Sequence, residues 1–239
     1  MEMAQMRRED DDMIEPSARS GYRDDTTMEI MNDGGDDIVD LYNASASGCT
    51  TTLKSLIDKD PRILYKISLT PFSETPLHIS ALLGHLDFTR TLLAQNPRLA
   101  VELDSYKRCS LHLASAEGHK KIIQSLLNEN NDTCMVHDQD GRIPLHYAAM
   151  RGQIEVMREL ISARPDSTQV MVNKVETVLH LCVKYNQLDA LKLLVDSLSN
   201  EDSLINSQDH DGGNTILHLA VMLKQTEVGF HYFLLRNST

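Results

Sequence analysis

Ten histidines and four cysteines are the side chains of this 239-residue chain best suited to acid–base, nucleophilic or metal chemistry. Four of the histidines recur 34 residues apart, each after a leucine: Leu77-His78, Leu111-His112, Leu145-His146 and Leu179-His180. A fifth pair, Leu217-His218, follows 38 residues later. A catalytic histidine needs a nucleophile or acid beside it, and metal ligands come at short, recognisable spacings. No Gly-x-Ser-x-Gly, His-Glu-x-x-His or phosphate-cradling glycine loop occurs in the sequence. Cys49, Cys109, Cys134 and Cys182 include no Cys-x-x-Cys pair, so they are expected to be core thiols in a reducing compartment. The expectation is a chain that is not an enzyme, with no catalytic residue, metal or cofactor.

A long fixed period is instead the mark of a solenoid, whose units cannot bury their apolar faces alone and must stack. The companion positions keep the same register. Gly84, Gly118 and Gly152 lie six residues after the marker histidine, and Leu92-Leu93, Leu126-Leu127, Leu160-Ile161 and Leu194-Val195 lie fourteen and fifteen after it. Tyr42, with Gly48 and Leu56-Ile57 behind it, reads as a degenerate first unit, giving about six in all.

One unit can be read from Ile143-Pro144-Leu145-His146-Tyr147-Ala148-Ala149-Met150-Arg151-Gly152. Proline suits the first turn of a helix, Leu145, Ala148 and Ala149 make its packing face, and Gly152 ends it in the left-handed conformation. A second helix is predicted over Ile154 to Ala163, with apolar residues at helical spacing, and a polar finger such as Asp138-Gln139-Asp140-Gly141-Arg142 joins units. Three departures stand out. Val175 replaces the finger glycine, Asn186 replaces a helix-ending glycine, and four extra residues fall near Leu198 to Asn206.

The net charge of −12 is uneven, because residues 1–40 hold 13 acidic and 4 basic side chains, or −9 of the total. Residues 1–36 lack apolar periodicity and read as a disordered acidic tail, with the repeat domain over 37–239. No basic stripe suggests a nucleic-acid partner. No apolar run of spanning length or secretory signal is present, so a cytoplasmic, monomeric chain is expected.

Thr75-Pro76-Leu77-His78, followed by Ala81 and Gly84, resembles the ankyrin repeat, over residues 38–239. The resemblance implies an all-α solenoid of helix-turn-helix units with short finger loops, and a protein-binding role. It also implies that the marker imidazoles hydrogen-bond backbone between adjacent units. His85 and His119, which begin second helices, are expected to be capping or surface residues. Asn96-Pro97, Arg164-Pro165 and the phrase from Glu176 to Gln187 are similar to a plant ankyrin family whose repeats precede a PGG-type membrane domain. That similarity implies defence or stress signalling at membranes. The sequence reaches Thr239 inside its sixth repeat without the membrane domain, and the alternative expectation is a truncated, soluble form of a membrane-anchored signalling protein.

In ankyrin stacks the concave side is built from fingers and first helices, so positions four and five past the marker histidine are implied to face it. These are Leu82-Leu83, Ala116-Glu117, Met150-Arg151, Lys184-Tyr185 and Met222-Leu223. Fingers add Tyr106-Lys107-Arg108 and Arg142. The candidate partner-binding residues are therefore Tyr106, Arg108, Arg142, Met150, Arg151, Lys184 and Tyr185, an aromatic, methionine and arginine mixture of the kind interfaces favour.

Overall fold

Each unit begins with a short helix whose start is set by its own marker histidine. In a computed structural model describing residues 34–67, 72–173, 176–197, 204, 206–209 and 213–225, Thr75 caps helix α4 (Pro76–Leu83) with its hydroxyl, and His78 Nδ1 accepts the Thr75 N–H at 3.2 Å. The bond from the N-cap N–H to the marker Nδ1 also opens α6 (Ser110–Glu117), α8 (Pro144–Met150), α10 (Val178–Lys184) and α12 (Ile216–Met222), while the hydroxyl cap recurs at Thr177 before α10. The first unit opens instead with α1 (Gly34–Ser47), so residues 34–36, expected in the tail, lie in a helix whose first turn carries Asp36 and Asp37. Negative charge there suits the positive end of the helix dipole.

These inner helices end where a residue takes the left-handed conformation, at Gly48, Gly84, Gly118, Gly152 and, as its amide side chain allows, Asn186 at φ 57°. The chain then reverses into the outer helices α2 (Thr50–Lys59), α5 (Leu86–Gln95), α7 (Lys120–Glu129), α9 (Ile154–Ala163) and α11 (Leu188–Ser197). The α9 bounds are those the apolar spacing predicts. A four-residue helix, α3 (Ile63–Lys66), follows α2.

Consecutive inner helices pack on one another and so do consecutive outer helices, giving two layers with one continuous core between them. Leu77, Leu111, Leu145 and Leu179, the leucines of the recurring phrase, are all buried, as are Leu92, Leu126, Leu160 and Leu194 from the outer layer. Each such leucine contributes roughly 1.5–3 kcal/mol of burial. Ala81, Ala114 and Ala148, one turn further along the same helices, are also buried and let the inner helices lie close.

The fingers are ordered by their first aspartate. Asp104 Oδ1 accepts from the N–H groups of Tyr106 and Arg108, and Asp138 Oδ1 accepts from those of Asp140 and Arg142. The Gln139 N–H donates to Tyr106 O at 2.9 Å, which ties these two fingers side by side. The next finger forms a two-stranded antiparallel ladder, β1 (Met171–Val172) with β2 (Glu176–Thr177), the one departure from an all-helical description among the described residues. Val175, most of the insertion from Leu198 and residues 1–33 lie outside the described residues.

Candidate functional site

Two hydrogen-bond ladders join the units. In the first, His78 Nε2 donates to Arg108 O at 3.0 Å, His112 to Arg142 O at 3.2 Å, His146 to Val170 O at 3.1 Å and His180 to Asn214 O at 3.2 Å. Because Nδ1 of each ring accepts a backbone N–H, the proton is placed on Nε2 and the ring is neutral. Burial pushes all four below the usual histidine range, His112 and His146 to about 4. In the degenerate first unit the Tyr42 hydroxyl donates to Glu74 O at 3.0 Å in the same place. The inter-unit bonds expected of the marker histidines are present, and the rings have no open coordination position.

The second ladder was missed by sequence reasoning. His85 and His119, expected as caps or surface groups, make no cap bond; their Nε2 atoms donate back to Ala46 O and Leu82 O of the preceding inner helix, both at 3.0 Å. Gln153 and Gln187 do the same to Ala116 O and Met150 O. These rings and amides lie flat on the left-handed glycines, and a Cβ on Gly84 would stand 2.6 Å from the His119 ring. The signal was in the sequence, seven residues past each marker.

The concave side retains the side chains that the ladders do not use. Tyr106 is exposed, with the Arg108 guanidinium 4.8 Å over its ring. Arg108 itself is buried, with Nε bonded to the equally buried Asp104 Oδ2 at 2.7 Å. Its placement as an exposed finger contact is therefore corrected. Arg142, one finger on, is 13% exposed, and among the described residues its ion-pair partner is Asp140, at 3.6 Å. Tyr147, Tyr185 and Asp138 surround it; although burial disfavours its charge, these groups hold its pKa above the ordinary arginine value.

Met150 is only 2% exposed and joins Ala116, Tyr147, Val172 and Leu181 in a small second cluster with Tyr185 packed against it. Its side chain, like that of Ala116, is floor under the groove and not an exposed contact, because the fingers fold over this part of the inner helices. Arg151 is exposed, and Lys184 and Tyr185 are half-buried, Lys184 lying 3.9 Å from Glu176. Tyr106, Arg108, Tyr147, Arg142 and Tyr185 thus follow one another across three units. Sequence reasoning missed Tyr147, whose hydroxyl donates to Asp138 Oδ2 at 2.6 Å.

The family description "Ankyrin repeats (3 copies)" matches residues 41–137 and again residues 111–209. The chain belongs to the ankyrin-repeat family. Over 66 residues it is 36% identical to Ankyrin repeat-containing protein BDA1 of Arabidopsis thaliana, a stretch covering 28% of this chain and 16% of that protein. Ankyrin repeats are protein–protein interaction modules. Among the described residues of this ankyrin chain, no three His, Cys, Asp or Glu side chains are grouped to hold a metal, and no helix is long and apolar enough to cross a membrane.

The cysteines divide in a way their spacing did not reveal. Cys109, Cys134 and Cys182 are buried, and burial raises all three thiols, Cys109 and Cys134 to about 11. Cys49, at the start of α2, is partly exposed, and the hydroxyls of Thr51 and Thr52, 3.2 and 3.1 Å from Sγ, lower its pKa to about 7. An inert core thiol is therefore the wrong description of Cys49.

Proposed function

We propose that this chain is a non-enzymatic, cytoplasmic, monomeric scaffold that binds a segment of a partner protein along its concave groove. The observation that carries the reading is the run of Tyr106, Arg142 and Tyr185 on one face, with Arg151 and Lys184 on the inner helices beside it. A mixed aromatic and cationic ridge over a packed apolar floor is the composition of a binding hot spot. The marker histidines are engaged in holding units together and take no part. No basic stripe accompanies the ridge, which favours protein over nucleic acid.

Arg151, Lys184 and Tyr185 changed together to alanine leave the buried floor in place. Affinity purification from native tissue with this variant should lose the partner that the unaltered chain retains, at an unchanged melting temperature. Undiminished recovery would overturn the groove assignment. The similarity to the PGG-type ankyrin family is what supports a setting in plant defence or stress signalling, and the Arabidopsis relative adds that a similar protein occurs in a plant. A line lacking the chain that mounts unchanged defence and stress responses would refute that setting.

A further inference from the structure

Two successive fingers carry the same pattern, an aspartate followed four residues later by an arginine: Asp104 with Arg108, and Asp138 with Arg142. Their backbones are held alike, since the arginine N–H donates to the aspartate Oδ1 at 2.8 Å in one and 2.7 Å in the other. The second carboxylate oxygen is used differently. Asp104 Oδ2 accepts from Arg108 Nε at 2.7 Å, whereas Asp138 Oδ2 accepts from the Tyr147 hydroxyl at 2.6 Å. Leu113 stands where Tyr147 does in the preceding unit, so no hydroxyl competes for Asp104.

Among the described residues the Arg142 side chain has no hydrogen-bond acceptor. Its Nε is sealed in without a partner, and the Asp140 carboxylate at 3.6 Å lies beyond hydrogen-bond distance. The terminal Nη groups are not sealed in this way, and a negatively charged acceptor that meets them forms a charge-assisted pair. With only 13% of its side chain exposed, such a pair is stronger than one in open solvent.

We infer that Arg142 is the anchor of the groove for a carboxylate, the side chain of an aspartate or glutamate on the bound partner segment. This rests on the groove reading above and adds the chemistry of one partner position. A carboxylate carries one charge and two oxygens that match a guanidinium fork. A phosphoryl group brings close to two charges into a site where Asp138 and Asp140 already face the arginine. Tyr147 is the positioning residue, because it occupies the oxygen that would otherwise neutralise Arg142 from within.

A display library of short random peptides is panned on the full chain and on Arg142→Met and Tyr147→Phe variants, each with its helix content and melting checked first. The unaltered chain should enrich peptides with Asp or Glu at one fixed position. A synthetic enriched peptide with that residue changed to its amide should bind roughly ten- to a hundredfold more weakly. Arg142→Met should bind the acid and amide forms equally. Tyr147→Phe, which keeps the arginine but frees Asp138 Oδ2 to accept it, should lose the same preference. Enriched peptides with no fixed acidic residue, a preference unchanged in either variant, or tighter binding of a phosphoserine version would overturn the assignment while leaving the groove reading intact. Absence of any enrichment on the unaltered chain would overturn both.

Discussion

Acid should loosen this solenoid well before its carboxylates titrate. The perturbation is a shift from pH 7 to pH 5. In the folded chain His112 and His146 hold off protonation to about 4, because burial excludes the charge and because Nδ1 accepts a backbone N–H that a protonated ring would repel. Unfolded histidine binds its proton at ~6.5. Between these values the unfolded state carries more protons, so stability is full above ~6.5 and falls as pH drops toward 4. Each of the two rings loses about 2 kcal/mol by pH 5, and His78 and His180, shifted in the same direction, add to the loss. Against a typical domain stability of ~5–15 kcal/mol this is a large fraction.

The assay is urea unfolding followed by circular dichroism at half-unit pH steps from 7.5 to 4.5. A His146→Gln variant should show a shallower pH dependence, by up to ~1.4 kcal/mol per pH unit, over the same window. A chain losing less than ~1 kcal/mol between pH 7 and 5, or a His146→Gln variant with the parental slope, would refute the tautomer argument.

Gly84→Ala forces a left-handed alanine against the His119 ring and should cost about 1–3 kcal/mol in chemical denaturation, more than a change at a solvent-facing helix position. Met150→Ala should cost about 2–5 kcal/mol because it empties the groove floor, while Arg151→Ala beside it should stay within about 0.5 kcal/mol; thermal melts separate the two. Arg108→Met strands the buried Asp104 carboxylate and should destabilise by about 3–5 kcal/mol, whereas Arg142→Met, which breaks no hydrogen bond of its side chain, should leave the melt close to parental. Maleimide at neutral pH should label Cys49 first, with Cys109, Cys134 and Cys182 reacting only on unfolding, as peptide mapping would show.

The architecture was legible because it is local and repeated. Leu145, Ala148, Ala149 and Gly152 each act through helical period or backbone conformation, and both properties are carried by residue type. The left-handed stop at Asn186 was readable for the same reason. Burial across units was not readable. Met150 and Arg151 are adjacent letters at implied groove positions, yet one is floor and the other exposed, because Val172 of the next finger folds over the methionine. The second ladder escaped because its residue type changes midway from histidine to glutamine, although both supply the same N–H donor. Where Asn186 adds a Cβ, Gln225 bonds Val183 O, one residue earlier than the pattern of its predecessors.

Arg108 and Arg142 carry that lesson to the site itself. The two share a finger position, an aspartate partner and a backbone cap, so any reading by type and spacing assigns them one role. Their roles part at the residue after each marker histidine, where Leu113 and Tyr147 differ by the presence of a hydroxyl. That hydroxyl takes the oxygen that Arg108 uses in the preceding finger, and a hydrogen-bonded ion pair in one unit gives way in the next to a looser one with Asp140 at 3.6 Å. Recognition in a repeat array can therefore arise without altering the residue that performs it. A change five positions further on in the chain, where it competes for the same acceptor, is sufficient.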